Sequence, residues 1–319
     1  MIRAEGLTKY YQEKAAVEGV SLSLPEGEVL ALLGGSGSGK TTLLRMLNRL
    51  VEPDAGQVWV NGENTSSLPG HALRRNMGYV IQETGLFPHL TVAENINTVP
   101  ALLGWSAQEQ KARCEELLCL LGLPPEDFTH RYPEQLSGGQ QQRIGIARAL
   151  AAKPAVLLMD EPFGALDPLI RQRVQEEFRQ LQQQLGLTVV LVTHDVEEAF
   201  LLGDRLMLLD EGRLQQTGSP RDLLFRPANA YVRHFFDPQR FRLELMVTPL
   251  SALLPYLPDS SEQAESDIPP FGESQTLDKV LGSTEGTIVI ESKGSRKAYP
   301  APIVWEAFYR FKQEGVSNE

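Results

Sequence analysis

The chain has 319 residues, of which 42% are hydrophobic and 22% charged, with a net charge of −11 and a pI of about 5.1. This length fits one large or two ordinary domains, and the composition is that of a globular protein. The acidic net charge argues against a nucleic-acid partner, because a protein that binds nucleic acid needs a basic patch. No apolar run approaches the roughly eighteen residues of a membrane span.

The N-terminal sequence and the two cysteines favour a cytoplasmic protein. Residues 1–6 contain no secretory apolar region. Cys114 and Cys119 lie in a helical pattern at a spacing untypical of a metal site, and we expect both thiols to be buried. Any association with a membrane would therefore come through another subunit.

Short strands that alternate with helices predict an α/β core. Residues 1–33 have the pattern of strands and turns, and residues 42–48 continue as a helix. Further strands are predicted at residues 57–62, 78–82, 155–161, 188–194 and 205–210. This alternation indicates a largely parallel sheet.

The pattern becomes helical over residues 85–150. Ser106 is a candidate N-cap for a helix over residues 107–121, which would end at Gly122. A later amphipathic helix follows the strand at 155–161. Its apolar stripe consists of Ile170, Val174, Phe178, Leu181 and Leu185.

The composition shifts beyond residue 236. Residues 255–274 are rich in Pro, Ser, Asp and Glu, which is typical of a solvated linker. A strand at 286–291 and a helix at 303–312 follow. We therefore expect a large domain over residues 1–236 and a small α+β appendage over residues 237–319.

Residues 34–41 read Gly-Gly-Ser-Gly-Ser-Gly-Lys-Thr, the spacing of a phosphate-binding loop. Glycines allow successive N–H groups to converge on phosphate oxygens. Lys40 would contact the β- and γ-phosphates, and the Thr41 hydroxyl can ligate Mg²⁺. A Gly/Ser-rich linker is the competing interpretation, but the flanking strand and helix favour a nucleotide site.

Polar residues follow several predicted strands. Because ligand sites gather at the carboxyl ends of parallel strands, Asp160 could complete a Mg²⁺ shell, and Glu161 could polarise an attacking water. Gln82 could touch Mg²⁺ or water, and His194 ends another strand. Each of these residues alone is compatible with a surface turn or a structural side chain. Their common position favours a catalytic role.

A second candidate anion site lies at residues 136–143, which read Leu-Ser-Gly-Gly-Gln-Gln-Gln-Arg. Ser-Gly-Gly would open a helix over residues 144–152, whose N-terminus favours negative charge. One nucleotide does not need two such sites from one chain. The pattern therefore predicts a dimer in which this segment covers a nucleotide held by the partner's phosphate loop.

Together the motifs over residues 1–235 resemble the ABC ATPase family. Residues 34–41 match its Walker A loop, residues 136–140 its signature, residues 156–160 its Walker B strand and residues 165–167 its D-loop. The single matching residues are Tyr11 for the adenine-stacking aromatic, Gln82 for the Q-loop, Glu161 for the catalytic carboxylate and His194 for the switch histidine.

The resemblance implies an α/β fold: a P-loop NTPase (RecA-like) ABC ATPase core with a helical subdomain inserted at about residues 85–150. It also implies ATP and Mg²⁺ as ligands. The implied catalytic residues are Lys40, Gln82, Glu161 and His194. The implied ATP contacts are Tyr11, Gly34, Gly35, Ser36, Gly37, Ser38, Gly39, Lys40, Thr41, Thr42, Ser137, Gly138, Gly139, Gln140 and Asp167. The implied Mg²⁺ ligands are Thr41, Gln82 and Asp160.

The same resemblance implies a set of partners. A second copy of the ATPase would form a head-to-tail dimer with two ATP molecules between the chains. A pair of transmembrane permease subunits would dock in a groove lined by residues 83–105. An extracytoplasmic substrate-binding protein would act through the permease. The chain would thus be peripheral at the cytoplasmic face of the membrane.

A narrower resemblance concerns the transported solute. Residues 46–52, 85–89 and 99–105 are similar to the ATPases of osmoprotectant importers, which carry glycine betaine, choline or related quaternary amines. Those ATPases often end in paired CBS modules, and the tail here has room for at most part of one. The alternatives are an importer ATPase for another small solute such as an amino acid, an exporter, a non-transport ABC ATPase and a regulatory module with an inactive site.

Overall fold

The computed structural model describes residues 1–82, 85–258, 269–283, 286–292 and 295–315. The chain divides into two compact units, Met1–Ser219 and Pro220–Glu319. This division falls earlier in the chain than the predicted boundary after residue 236, and the two-domain assignment itself stays a prediction. Part of the predicted linker, residues 259–268, lies outside the described residues, as do residues 83–84 of the predicted docking groove.

The first unit alternates strands and helices. Its strands are β1 (Ile2–Tyr11), β2 (Lys14–Leu24), β3 (Val29–Leu33), β4 (Ala55–Val60), β5 (Glu63–Asn64), β6 (Met77–Val80), β7 (Val156–Asp160), β8 (Thr188–Val192), β9 (Arg205–Asp210) and β10 (Arg213–Gly218). Its α-helices are α1 (Lys40–Leu47), α2 (Gly70–Arg75), α3 (Val92–Leu102), α4 (Ala107–Leu120), α5 (Pro125–Phe128), α6 (Gly138–Leu150), α7 (Pro168–Leu185) and α8 (Val196–Leu202).

A six-stranded sheet in the order β10-β9-β3-β8-β7-β6 forms the centre of this unit. The strands from β9 to β6 pair in parallel, and β10 is antiparallel at one edge. The parallel register brings the carboxyl ends of β3, β7 and β8 to one edge of the sheet, so residues that follow these strands become neighbours. A separate antiparallel sheet has the order β2-β1-β4-β5.

Both faces of the central sheet are buried, which explains why its strands are continuously apolar. Alternate residues of each strand point to opposite faces. Leu30 and Leu32 of β3 join one core with the antiparallel sheet and α1, while Val29 belongs to the other core with α3, α4, α6 and α7. The predicted α/β arrangement around a largely parallel sheet is thus observed.

Helices α3 to α6 occupy residues 92–150, close to the predicted helical stretch. Ser106 caps α4 as predicted, and Glu109 completes a capping box. On α7 the stripe is buried at Val174, Phe178 and Leu181. Its two ends, Ile170 and Leu185, are 40% and 38% exposed, so the apolar stripe is longer than the buried part of the helix.

The second unit is a small α+β fold in its described part. Its elements are α9 (Pro220–Phe225), α10 (Ala230–Phe236), α11 (Arg240–Val247), β11 (Phe271–Gly272), α12 (Leu277–Ser283), β12 (Thr287–Ser292), β13 (Ser295–Pro300) and α13 (Ala301–Arg310). The strands form a sheet in the order β11-β12-β13. Its core includes Leu250, Ile288, Ile290, Val304 and Phe308.

The two cysteines of α4 differ in exposure, which corrects the prediction that both are buried. Cys114 is buried, and desolvation raises the pKa of its thiol to about 11. Cys119 is exposed. Five helical positions rotate a side chain by about 500°, so Cys119 points roughly 140° away from the buried face. No helix among the described residues is long and apolar enough to cross a bilayer.

Candidate functional site

The phosphate loop (residues 34–41) joins the end of β3 to the start of α1 in a conformation that requires glycine at two places. Gly34 and Gly39 have φ angles of 146° and 98°, which L side chains rarely adopt. A Cβ on Gly34 would lie 2.2 Å from the Leu209 carbonyl oxygen, and a Cβ on Gly39 would lie 2.2 Å from the Ala16 carbonyl oxygen. The loop therefore closes tightly on the strands behind it.

Lys40 is buried at the base of this loop. Its Nζ donates to the carbonyl oxygens of Gly34 and Gly35 at 2.9 and 2.8 Å, and Ser38 Oγ lies at 3.4 Å. Desolvation lowers the pKa of Lys40, and the negative charges of Glu161 and Asp160 oppose that shift. The ammonium thus has neutral partners in its immediate contacts, an arrangement that suits an incoming phosphate group.

A cavity of about 840 Å³ lies in front of the loop, a volume in the range of small-molecule sites. Its lining brings together side chains that are far apart in sequence. The lining residues are Tyr11, Gln12, Lys14, Ala15, Ala16, Ser36, Gly37, Ser38, Gly39, Lys40, Thr41, Thr42, Gln82, Glu161 and His194. Tyr11 lies in the cavity with an exposed ring, so a base could stack on it.

Asp160, the last residue of β7, is buried beside the first turn of α1. Its Oδ1 accepts a hydrogen bond of 2.9 Å from Thr41 Oγ1. Its Oδ2 lies 3.5 Å from the Tyr79 hydroxyl and 3.7 Å from Arg45 Nη2. The hydroxyl and carboxylate together are oxygen ligands of the kind that Mg²⁺ prefers.

The predicted metal site is incomplete without phosphate. No group of three or more His, Cys, Asp or Glu residues in the described part of the chain could hold a metal ion. Mg²⁺ commonly takes one or two protein ligands together with substrate phosphates and waters. The Thr41–Asp160 pair therefore fits a Mg²⁺ ion that arrives with a nucleotide.

Glu161 stands where β7 turns away from the sheet, and its backbone is in the left-handed region with φ 47°. Such a conformation is unfavourable for a residue other than glycine and is often found at functional sites. Glu161 Oε2 accepts a 2.9 Å hydrogen bond from Gln82 Nε2 and lies 3.2 Å from His194 Nδ1. Three residues from three strand ends thus meet at one carboxylate. The bond of Gln82 is to Glu161, and its role as a Mg²⁺ ligand stays a prediction.

The signature segment (residues 136–140) is built as a helix N-terminus but does not line this cavity. Ser137 is the N-cap of α6, and its side chain and that of Gln140 exchange hydrogen bonds with each other's backbone N–H groups. Gly138 is exposed, while Gly139 is buried, and a Cβ on Gly139 would lie 2.8 Å from Ile170 Cγ2. The predicted contact of this segment with a nucleotide on the partner's phosphate loop stays a prediction.

Asp167, like Gly34 and Gly35, is a predicted ATP contact that does not line the cavity, and in the single chain it has a structural role. It is the N-cap of α7, and its Oδ1 accepts hydrogen bonds of 3.1 Å from the N–H groups of Leu169 and Ile170. Its side chain satisfies backbone donors that the helix leaves unpaired. A role toward ATP stays a prediction.

Sequence reasoning missed Arg45 and Tyr79, which both contact Asp160. A signal for Arg45 was present, since it follows Thr41 by one helical turn and therefore lies on the same face of α1. Tyr79 offered none, because a tyrosine within an apolar strand is indistinguishable from ordinary packing.

Known proteins to which this chain is similar include ATP-binding proteins of transport systems and an ATP-binding cassette. Residues 17–164 match the family described as ABC transporter. The chain is 50% identical over 252 residues to the osmoprotectant import ATP-binding protein OsmV of Salmonella typhimurium, which covers 77% of this chain and 66% of OsmV. It is 51% identical over 246 residues to the glycine betaine uptake system ATP-binding protein YehX of Escherichia coli, covering 77% of this chain and 80% of YehX.

A third relative is the choline transport ATP-binding protein OpuBA of Bacillus subtilis, with 50% identity over 241 residues, 75% of this chain and 63% of OpuBA. The aligned part thus spans slightly less than two thirds of OsmV and OpuBA. Among solved structures, the chain is similar to the dimeric post-hydrolysis state of the ATP-binding cassette MJ0796 bound to ADP and Pi. That likeness has a TM-score of 0.61 and 35% identity, and it covers 69% of this chain and 98% of the cassette.

Proposed function

This chain belongs to the family of ABC transporter ATP-binding proteins, and on that premise we propose that it is the ATP-hydrolysing subunit of an ABC importer. The observation that carries the proposal is the convergence of Lys40, Glu161 and His194 on one cavity in front of the phosphate loop. A nucleotide-binding module without activity would not need a carboxylate held by two further polar side chains at that position.

The cavity residues divide the chemistry of hydrolysis among them. The oxygen of a water attacks the γ-phosphorus, the bond to the bridging oxygen breaks, and ADP leaves with the electron pair. Glu161 accepts the proton of that water, since its carboxylate faces the cavity. Lys40 and the N–H groups of the phosphate loop stabilise the negative charge on the phosphates.

His194 and Gln82 orient the base. Each lies within 3.2 Å of Glu161 Oε2, so the carboxylate is fixed from two sides. Mg²⁺ would be held by Thr41 and Asp160 together with phosphate oxygens, and when bound it neutralises charge on the β- and γ-phosphates. Tyr11 would stack on the adenine.

A second copy of the chain would complete the site. Ser137, Gly138, Gly139 and Gln140 form a helix N-terminus that lines no part of the chain's own cavity, and Asp167 lies outside it as well. In a head-to-tail dimer, this N-terminus would contact the γ-phosphate bound by the partner. The similar cassette MJ0796 is dimeric in its solved structure, which supports this arrangement.

The solute is proposed to be an osmoprotectant of the glycine betaine or choline type. The support is the naming of three relatives at about 50% identity for osmoprotectant, glycine betaine and choline transport. The chain would act at the cytoplasmic face of the membrane through permease subunits, and an extracytoplasmic substrate-binding protein would deliver the solute. An amino acid or another small solute is the competing outcome of the uptake test below.

ATP hydrolysis by the purified chain tests the activity. Lys40→Ala should reduce hydrolysis at least about 100-fold because the ammonium that neutralises the phosphates is lost. Phosphate release at saturating Mg²⁺-ATP is the measurement, and Lys111→Ala, which removes an exposed lysine of α4, is the control. Equal hydrolysis by the wild type and the Lys40 variant would contradict the assigned phosphate site.

Uptake of labelled glycine betaine and choline at high salt tests the solute. Cells that produce the chain with its membrane partners are compared with cells that produce Lys40→Ala. Uptake that is lost in the variant supports both the motor and the solute class. Equal uptake in both strains would reject the osmoprotectant assignment, and labelled amino acids would then be tried.

A further inference from the structure

The side chain of Arg171 connects two segments that border the reacting groups. It extends from the first turn of α7, and its Nη2 donates to the carbonyl oxygens of Leu166 and Gly164 at 2.9 and 3.3 Å. Its Nη1 lies 3.6 Å from Asp195 Oδ2. The Arg171 side chain is partly buried, with 27% of it exposed. One side chain therefore bridges residues 164–167 and the turn that carries His194.

That turn, residues 193–195, is held from its other side by Glu198. The Thr193 hydroxyl donates to Glu198 Oε2 at 2.5 Å, and it accepts a 2.9 Å hydrogen bond from the Asp195 N–H. Asp195 in turn caps α8 by accepting from the Glu198 N–H at 3.2 Å. His194 thus stands between two residues that are both fixed, and only Asp195 among them faces Arg171.

The other segment held by Arg171 lies against the reacting pair. A Cβ on Gly164 would lie 3.8 Å from Glu161 Oε2 and 3.9 Å from His194 Cε1. The Gly164 N–H also donates to the Glu161 carbonyl oxygen at 3.3 Å. A shift of this segment would therefore change the space available to both side chains.

We propose that Arg171 is a positioning residue that couples residues 164–167 to the switch turn and so maintains the contact between His194 and Glu161. The inference rests on the proposed ATPase function. A planar guanidinium suits this task because its donors point in fixed directions to several acceptors at once. Arg171 does not line the cavity, so it acts on the reaction through His194 and Glu161.

The first test compares the kinetics of Arg171→Gln and Arg171→Lys with those of Arg173→Gln. Arg173 lies on the same helix, is 77% exposed and pairs only with Glu177 among the described contacts, which makes it a matched control. Misplacement of the base should reduce kcat about 10- to 100-fold in Arg171→Gln, with the KM for ATP within about twofold of the wild type. Arg171→Lys should rescue only part of kcat. A kcat equal to that of the control would overturn the inference.

The second test is a double-mutant cycle with Asp195→Asn, which keeps an N-cap side chain but removes the charge opposite Arg171. If Arg171 acts through the switch turn, Asp195→Asn lowers kcat by itself. The kcat of the double variant should then be at least about half that of the slower single variant. The coupling would be overturned if the fold-reductions in kcat of the two single variants multiply in the double variant, or if Asp195→Asn has the kcat of the wild type. Should Arg171→Gln fail to fold, Arg171→Lys takes its place in the cycle.

These experiments distinguish a failure of the proposed ATPase function from a failure of the positioning role of Arg171. If the wild type and Arg173→Gln hydrolyse no ATP, the proposed function itself fails. If both hydrolyse ATP and the Arg171 variants behave like them, only the positioning role of Arg171 fails.

Discussion

Glu198 shows how a single buried carboxyl group can make stability depend on pH. Burial raises the pKa of Glu198 to about 7, and the negative charges of Asp195 and Glu161 act in the same direction, whereas the Thr193 hydrogen bond and the charge of Arg171 oppose it. The unfolded chain has a pKa near 4.5 for this group. The folded state therefore binds a proton in a range where the unfolded state has already released it.

This difference predicts a loss of stability at high pH. The contribution of a group with a raised pKa is fully present below pH 4.5 and is lost as the pH rises through about 7. Between about pH 5.5 and 8, the wild type should lose about 2 kcal/mol of unfolding free energy relative to Glu198→Gln. Denaturant unfolding at both pH values measures this, with the exposed Glu176→Gln as control. A wild type and a Glu198 variant with parallel pH profiles would show that the carboxyl is not buried as described.

Glu161→Gln tests the proposed base, because it replaces one carboxylate oxygen by an amide nitrogen. The amide keeps the size of the side chain but cannot accept the proton of the attacking water, so hydrolysis should fall at least about 100-fold. ATP binding should persist because the phosphate loop is untouched. Phosphate release and nucleotide binding are measured on the same preparation. Normal ATP turnover by this variant would show that Glu161 does not accept the proton of the attacking water.

The sequence predicted residue types better than residue conformations. Lys40, Asp160 and Glu161 could be singled out from the sequence because their chemistry and spacing are specific, and their roles stay predictions. The left-handed backbone of Glu161 could not be foreseen, since nothing in an Asp-Glu-Pro sequence requires it. The same holds for Arg171, because its partner Asp195 comes from a turn that only the folded chain brings close.

At the scale of elements, two helices that begin with similar capping boxes allow the stabilising role of an N-cap serine to be distinguished from a role in ATP hydrolysis. Ser106 begins α4 and Ser137 begins α6, each with a capping box. Each Ser→Ala change should cost about 1 kcal/mol of stability because a backbone N–H loses its acceptor. Only Ser137→Ala should also slow ATP hydrolysis, since only the signature segment is proposed to meet the partner's nucleotide. Equal hydrolysis by both variants would contradict that contact.

The strands of the central sheet were predictable because burial on both faces leaves continuous apolar runs, as in β3, β7 and β8. β13 was not predicted. It reads Ser-Arg-Lys-Ala-Tyr-Pro, and only its tyrosine is buried, so its place in the sheet comes from pairing with β12. Tertiary pairing outweighs local pattern in such an edge strand.

At the scale of the whole molecule, the likeness to ABC cassettes confirms the predicted P-loop NTPase fold for the first unit. The cassette motifs could be identified from sequence because phosphate binding fixes their spacing. The second unit has no motif of that kind, although β12 and α13 lie close to the strand and the helix predicted at residues 286–291 and 303–312. The sequence pattern did not indicate that Ile288, Val304 and Phe308 pack together in one core, because this packing joins separate segments of the folded chain.

Each unit has its own core, which predicts local effects of core substitutions. Phe308→Ala should destabilise the second unit by about 3–5 kcal/mol through the lost packing and the cavity. Hydrogen exchange should accelerate at amides of β12 and β13 and stay unchanged in β3 and β7. Leu30→Ala in the first unit should give the reverse pattern. Faster exchange everywhere in both variants would indicate that the chain unfolds as one body.

The unequal cysteines of α4 supply a ready attachment point for a reporter group. At neutral pH, the buried Cys114 with its raised pKa stays an unreactive thiol, while the exposed Cys119 is open to maleimide reagents. The native chain should therefore take up one equivalent of dye, on the outer face of the helical region, without any cysteine being removed. Fluorescence from that dye would follow the movement of this region during turnover, in the unaltered sequence.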